Sequence, residues 1–284
     1  MGGLGNQMFQ YAAGRCLAQL HNTELKLDLS YLNQDPQNKY TKREYKLDAF
    51  NCQAGFADEN DIRPFLPLDR GKIINTLMRK LPILYFKVVA NESGHKYMKE
   101  FYSFPKHVYL NGFWQSEKYF EPVKEIIRNE FSLKEQLYPE NLELYNTITN
   151  CDAVSLHVRR GDYVSNKESN AYHGTCSLEY YSKAIELIRS KYRTAELFVF
   201  SDDIPWVKEH LRTDLPVHFI DRNNPGQTDM YLMASCKHNI IANSSFSWWG
   251  AWLNKNPGKI VIAPAQWFAN NAAPDIYPGN WVKI

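Results

Sequence analysis

The chain has 284 residues, enough for one large or two modest domains with a substantial core. Hydrophobic residues make up 44% and charged residues 23%, the balance of an ordinary soluble globular protein. A net charge of +2 gives no case for a global nucleic-acid binder, and no run approaches the ~18 apolar residues needed to span a bilayer.

Cys16, Cys52, Cys151, Cys176 and Cys236 are scattered, odd in number and without a C-x-x-C pair. Neither a zinc site nor a disulfide framework is suggested, and a reducing compartment fits best. No signal peptide is visible, so the chain reads as cytoplasmic.

Gly2-Gly3-Leu4-Gly5-Asn6-Gln7 precedes a helical stretch over 8–20, with apolar positions Met8, Phe9, Ala12, Ala13, Cys16, Leu17 and Leu20. Glycines ahead of a helix let backbone amides approach a phosphate at its N-terminus. The stretch has neither a Walker lysine nor the spacing of a dinucleotide fingerprint, so a tight turn without a ligand is an equal reading. Positions 25–29 and 107–110 read as strands and 122–131 as a helix. Residues 63–99 are rich in Lys and Arg, with Ile73, Ile74, Leu77, Met78 and Leu81 interleaved. A small helical subdomain with a solvated basic face is the plainer reading; contact with anionic lipid or a lipid-linked glycan at the inner membrane surface is the alternative. A change of rhythm around 146–151 puts a domain boundary near residue 150.

The second half alternates. Apolar runs at 153–158, 197–200, 217–220, 239–242 and 260–263 each end in polar residues. Between them lie helical patterns, one capped by Ser177 and another carrying Pro205 in its first turn, with two more at 227–236 and 248–253. Strands alternating with helices argue for a parallel sheet, where ligands sit outside the carboxyl ends of the strands. The polar clusters should therefore converge on one crevice.

His157-Val158-Arg159-Arg160-Gly161-Asp162 follows the first of these runs and sets two guanidinium groups at a strand exit. Planar, permanently charged donors suit a diphosphate, although paired arginines also serve as a solvated rim. Asp162 reads either as a general base or as an anchor for Arg160; the adjacent arginines favour its charged form and weaken it as a base. Ser244-Ser245-Phe246-Ser247, before Trp248-Trp249-Gly250-Ala251-Trp252, offers small hydroxyls and free amides at a strand-to-helix turn. The tryptophans read as helix-to-sheet packing rather than a sugar platform. Asp221 could accept from a guanine edge or serve as a loop aspartate. Asp202-Asp203 lacks the Asp-x-Asp spacing of metal-dependent sugar transferases and reads as a polar turn, with no metal site.

Together with Asn111-Gly112-Phe113-Trp114-Gln115-Ser116-Glu117-Lys118-Tyr119, these motifs resemble the bacterial α-1,2-fucosyltransferases along essentially the whole chain. The resemblance implies a GT-B-like α/β fold: two Rossmann-like lobes with the nucleotide cleft between them, 1–150 on the acceptor side and 151–284 binding GDP-fucose. It implies transfer of L-fucose from GDP-fucose to the 2-hydroxyl of a terminal β-galactose, with inversion and no required metal or other cofactor. By similarity Arg159 grips the β-phosphate, and His157 and Asp221 match guanine-side contacts. Ser244, Ser245 and Phe246 match the diphosphate turn, and Gly5 and Asn6 face the diphosphate and fucose. Arg159, Asp162 and Asn6 are the catalytic candidates. Relatives usually begin with an apolar strand ahead of the glycine motif, where only Met1 stands here, so either the start is truncated or that first strand is absent. A non-catalytic glycan-binding protein is the rival reading, and a phosphotransferase is disfavoured by the missing Walker lysine.

Overall fold

The computed structural model describes residues 1–33, 42–65, 88–92, 94–161, 174–269 and 275–284. They form two compact units, Met1–Ser132 and Leu133–Ile284.

In the first unit, helix α1 (Leu4–Leu20) starts directly after the extended Gly3. It begins ahead of the apolar periodicity, so Gly5 and Asn6 lie in its first turn rather than in a loop. Glycine and asparagine have weak helix propensity, which is why the pattern undersells that turn. Met8, Phe9, Tyr11, Ala12, Ala13 and Cys16 are fully buried. At Gly14 a Cβ would come within 2.8 Å of Leu25 Cδ1, so a larger residue would make the Leu25 side chain shift. The helix ends on Asn22, whose φ of 46° is left-handed. The Thr23 N–H then donates to the Ala18 carbonyl at 2.9 Å, closing a Schellman turn.

Strands β1 (Lys26–Leu27) and β2 (Gly55–Phe56) pair in parallel, as do β3 (Val88–Asn91) and β4 (Val108–Asn111). Within the basic stretch, 88–91 is therefore a strand, consistent with its two β-branched valines. The expected amphipathic helix around Ile73 to Leu81 lies outside the described residues. Helix α2 (Lys124–Glu130) is tied to α1 by Glu130, which accepts from the Tyr11 hydroxyl at 2.5 Å and from Arg15 Nε at 2.9 Å.

The second unit runs α3 (Pro139–Thr149), β5 (Asp152–Val158), α4 (Leu178–Lys191), β6 (Ala195–Ser201), α5 (Ile204–His210), β7 (Val217–Phe219), α6 (Gly226–Ser235), β8 (His238–Ile240), α7 (Ser245–Leu253), β9 (Val261–Ala263) and β10 (Val282–Lys283). All six strands join one parallel sheet in the order β10-β9-β8-β5-β6-β7. Each apolar run became a strand, and the fold class is α/β as expected. The two-residue β10 is too short to show a pattern of its own.

Both faces are covered. Val154, Leu156 and Val158 pack with Tyr181, Ile185 and Ile188 of α4; Ala153, Phe198 and Phe200 pack with Leu144 and Ile148 of α3 and Leu232 and Met233 of α6. Because α3 belongs to this core, the division between units falls at 132/133 rather than near 150. The rhythm change marks the first strand, not the helix that covers it.

The chain lays β6 and β7 on one side of β5, then returns to build β8, β9 and β10 on the other. The topological switch point is thus between β5 and β8, where such sheets open a crevice at their carboxyl ends. A buried polar network holds this seam. Asn239 Nδ2 donates to Ser155 Oγ at 2.7 Å and to the Met233 carbonyl at 2.8 Å, while Asn254 Nδ2 donates to Asn239 Oδ1 at 2.8 Å. Among the described residues no helix is long and apolar enough to cross a membrane.

Replacing Asn239 by Leu orphans several buried partners, each costing about 1–3 kcal/mol. Asn239→Leu is expected to destabilise the protein by roughly 2–3 kcal/mol in urea unfolding. A loss under about 0.5 kcal/mol would show that the network is dispensable.

Candidate functional site at the sheet's carboxyl edge

Parallel pairing of β5 with β6 sets Val158 opposite Ser201. The next residues on each strand are therefore Arg159 and Asp202, and Arg159 Nη1 meets Asp202 Oδ2 at 2.8 Å. The same carboxylate accepts the Arg160 backbone N–H at 2.8 Å through Oδ1. Arg160 Nε donates to Asp203 Oδ2 at 3.1 Å, and its guanidinium lies 3.6 Å from the Trp206 ring centroid. Asp203 also caps α5, accepting from the Trp206 N–H at 3.2 Å. A Cβ at Gly161 would lie 2.3 Å from Asp202 Oδ2, so a larger residue there would push the Asp202 carboxylate aside.

Asp202 and Asp203 are thus counter-ions that aim the two arginines, a more specific role than the polar turn expected. Trp206 was missed, because a cation–π partner on the next helix leaves no mark in local sequence. The arginines are not a loose solvated rim: the Arg159 side chain is only 26% exposed.

His157, one residue inward, is buried, and its ring centroid lies 5.5 Å from that of Phe246 in the first turn of α7. Burial first, then the Arg159 guanidinium, pushes its pKa down from 6.5 to about 4. The ring is therefore neutral at neutral pH, and its Nδ1 has no hydrogen-bond partner among the described residues.

Ser244 stands at the N-cap of α7 in extended conformation and makes no side-chain cap bond. Ser245 and Phe246 follow in the first turn, whose N–H groups have no intrahelical acceptor. The turn is braced by Asn243, whose Nδ2 donates to the carbonyls of Gly174 at 3.2 Å and Trp267 at 3.3 Å. Trp248, Trp249 and Trp252 are buried, with Trp248 Nε1 donating to the Ile276 carbonyl at 2.7 Å. They pack the helix onto the sheet, as expected, and cannot serve as sugar platforms.

Asp221 sits beyond the edge strand β7, exposed, and accepts from Lys208 Nζ at 2.9 Å. The half-buried carboxylate after β7 is instead Asp229, in the first turn of α6, which accepts from Asn224 Nδ2 at 2.8 Å. Burial raises its pKa to about 6. Sequence reading passed over it because a first-turn helical Asp is commonplace. Gly5 and Asn6 belong to the first unit, where Asn6 Oδ1 accepts from Gln115 Nε2 at 2.8 Å. Asp162 lies outside the described residues.

Fold and site define a doubly wound α/β protein with a cationic switch-point edge and an uncapped helix start beside it. The family described as glycosyl transferase family 11 matches residues 85–284, and the chain belongs to it. It is 39% identical to the α-1,2-colitosyltransferase of Escherichia coli, over 100% of this chain and 96% of that one. It is 34% identical to the O-antigen biosynthesis glycosyltransferase WbnK of Escherichia coli, over 100% and 98%. A galactoside α-(1,2)-fucosyltransferase 1 of Rattus norvegicus is 29% identical over 56% of this chain and 46% of its own length. The chain is therefore a fucosyltransferase-like glycosyltransferase with bacterial relatives, in line with the motif resemblance.

Because His157 has a depressed pKa in the fold, the unfolded chain binds more protons between pH 6.5 and about 4. Stability should fall as pH drops through that window. His157→Gln should flatten that slope in urea melts at pH 7 and pH 5. An unchanged slope would show that His157 does not titrate as described.

Proposed function

We propose that the chain transfers L-fucose from GDP-fucose to the 2-hydroxyl of a terminal β-galactose, with inversion and without a metal. The observation that carries this reading is the Arg159–Asp202 pair at the carboxyl end of β5, the strand that borders the switch point and the uncapped start of α7. The acceptor hydroxyl attacks C1 of the sugar from the face opposite GDP. The bond from C1 to the β-phosphate oxygen breaks with its electron pair, and the hydroxyl proton is lost. Negative charge grows on the leaving phosphate, and Arg159 with the Ser245 and Phe246 amides offsets it. Asp202 and Asp203 hold the arginines and so are engaged as counter-ions, which supports charge compensation by side chains.

A neutral His157 suits the base end of the nucleotide. For the guanine edge, the resemblance pointed to Asp221; its exposure and its pairing with Lys208 favour Asp229 in that role. None of the five cysteines forms a disulfide, which supports a reducing, cytoplasmic setting. A lipid-linked O-antigen glycan as acceptor is supported by the 34% identical relative.

The second reading is a GDP-colitose donor, favoured by the 39% identity to a colitosyltransferase along the full chain. Colitose lacks the 3-hydroxyl of fucose, so side-by-side kinetics with the two donors on lactose decides between them.

Arg159→Lys should lower kcat about 100–1,000-fold, because an ammonium cannot reproduce the planar fork. Turnover within threefold of wild type would count heavily against the assignment. GDP should raise the melting temperature where ADP and UDP do not. Asp229→Asn should abolish that preference and Asp221→Asn should leave it; the reverse result restores Asp221.

A further inference from the structure

One corner of the second unit gathers two buried polar atoms. Asn141, in the first turn of α3, is 2% exposed, and His157, near the end of β5, is 5% exposed. Neither Asn141 Oδ1 nor His157 Nδ1 has a hydrogen-bond partner among the described residues. Burying such an atom costs about 1–3 kcal/mol, so two of them at one corner point to a ligand site.

Packing brings both atoms to the same corner. Helices α3, α6 and α7 all begin at the carboxyl edge of the sheet, because each leads into a parallel strand. Phe246, in the first turn of α7, packs against the cluster of Leu144, Phe200 and Leu232, and its ring lies 5.5 Å from that of His157. A Cβ at Gly250 would lie 3.1 Å from Met233 Cβ, and one turn back on those two helices stand Phe246 and Asp229. Tyr145 of α3 stacks on Tyr231 of α6, with centroids 5.8 Å apart.

The residues after β7 link α3 to α6 through a relay of amides. Asn141 Nδ2 donates to Asn224 Oδ1 at 3.1 Å, and Asn224 Nδ2 donates to Asp229 Oδ1 at 2.8 Å. Arg222 Nη1 ties the same segment to α3 by donating to the Glu140 carbonyl. A carboxamide has one accepting end and one donating end. With its oxygen taken by Asn141, Asn224 presents its N–H end to the carboxylate. Asp229 is thereby held through Oδ1, and Oδ2 stays outside the relay. Guanine offers two adjacent donors, N1–H and the 2-amino group, so a fixed carboxylate is a matching acceptor.

We propose that Asn224, oriented by Asn141, is a positioning residue that aims the Asp229 carboxylate at the guanine base of the nucleotide. This rests on the role given to Asp229 under the proposed function. Asn224 does not touch the base; it sets the direction of the group that does. Asn141, His157, Asn224 and Asp229 all belong to the second unit, so the base site is built within it.

The test compares GDP with inosine diphosphate, IDP, whose base lacks only the 2-amino group. In titration calorimetry the wild type should bind GDP about tenfold more tightly than IDP, the scale of one hydrogen bond. Asn224→Asp keeps the shape and still accepts from Asn141, but it cannot donate to Asp229 and sets a like charge against it. The preference for GDP over IDP should then fall to less than about twofold. In the Asp229→Asn background, adding Asn224→Asp should change the GDP dissociation constant less than about twofold, because Asn224 acts through Asp229. If Asn224→Asp does not fold, Asn224→Ala takes its place with the same expectation.

A wild-type preference in the folded Asn224 variant, or a further loss of GDP affinity in the double variant, overturns the proposal. A purely structural Asn224 would lower the melting temperature and weaken GDP and IDP together, leaving their ratio unchanged. Neither ligand carries a sugar, so the result is independent of whether fucose or colitose is the donor. An unchanged preference in Asp229→Asn sinks the guanine role of Asp229 and this proposal with it. A lost preference there, beside an intact one in the Asn224 variant, sinks the positioning role alone.

Discussion

Strand β5 is buried on both faces and pairs with β6 from Asp152 to Val158 and with β8 from Val154 to Ile240's partner Leu156. That register places everything in the second unit. Alternate residues face opposite helix layers, so a slip of one position would exchange Val154, Leu156 and Val158 for Ala153, Ser155 and His157. It would also bring Arg159 opposite the wrong neighbour. The Asn239 network locks the seam between β5 and β8, the one place in the sheet where chain direction reverses its order of addition.

The ionic contacts at this edge are better understood as aiming devices than as sources of stability. A partly exposed pair such as Arg159–Asp202 contributes on the order of 0–1 kcal/mol, because screening and side-chain ordering offset the Coulomb gain. Its geometric effect is larger. Asp202 fixes one guanidinium and the neighbouring backbone N–H, while Asp203 and Trp206 fix the other. Next to these permanent charges, burial keeps His157 neutral. Two electrostatically different environments therefore lie side by side, one cationic and one polar but uncharged.

The first unit organises its polar groups by a different means. It relies on backbone geometry: a left-handed Trp114, an Asn22 that stops α1, and glycines at 2 and 14 that allow close approach. These positions are strained or crowded, and the left-handed Trp114 is held by Glu92 from another strand end. Glu92, Gln115 and Glu130 act as the cross-links.

Local chemistry was enough to find the five strands, the cap at Ser177, the first-turn Pro205, and the arginines at a strand exit, because apolar runs and helix-start residues act within a few positions of themselves. The motifs also named the family. The packing of α3 on the second core, the strand at 88–91, the burial that separates Asp229 from Asp221, and the pairing of Arg159 with Asp202 could not be read this way. Each depends on which strand lies beside which, and neighbours in a parallel sheet are set by crossovers dozens of residues long. The residue types belong to the sequence; their partners, their charge states and the direction each amide points were decided only when β5 took its place in the sheet and the turn at Trp114 closed on Glu92.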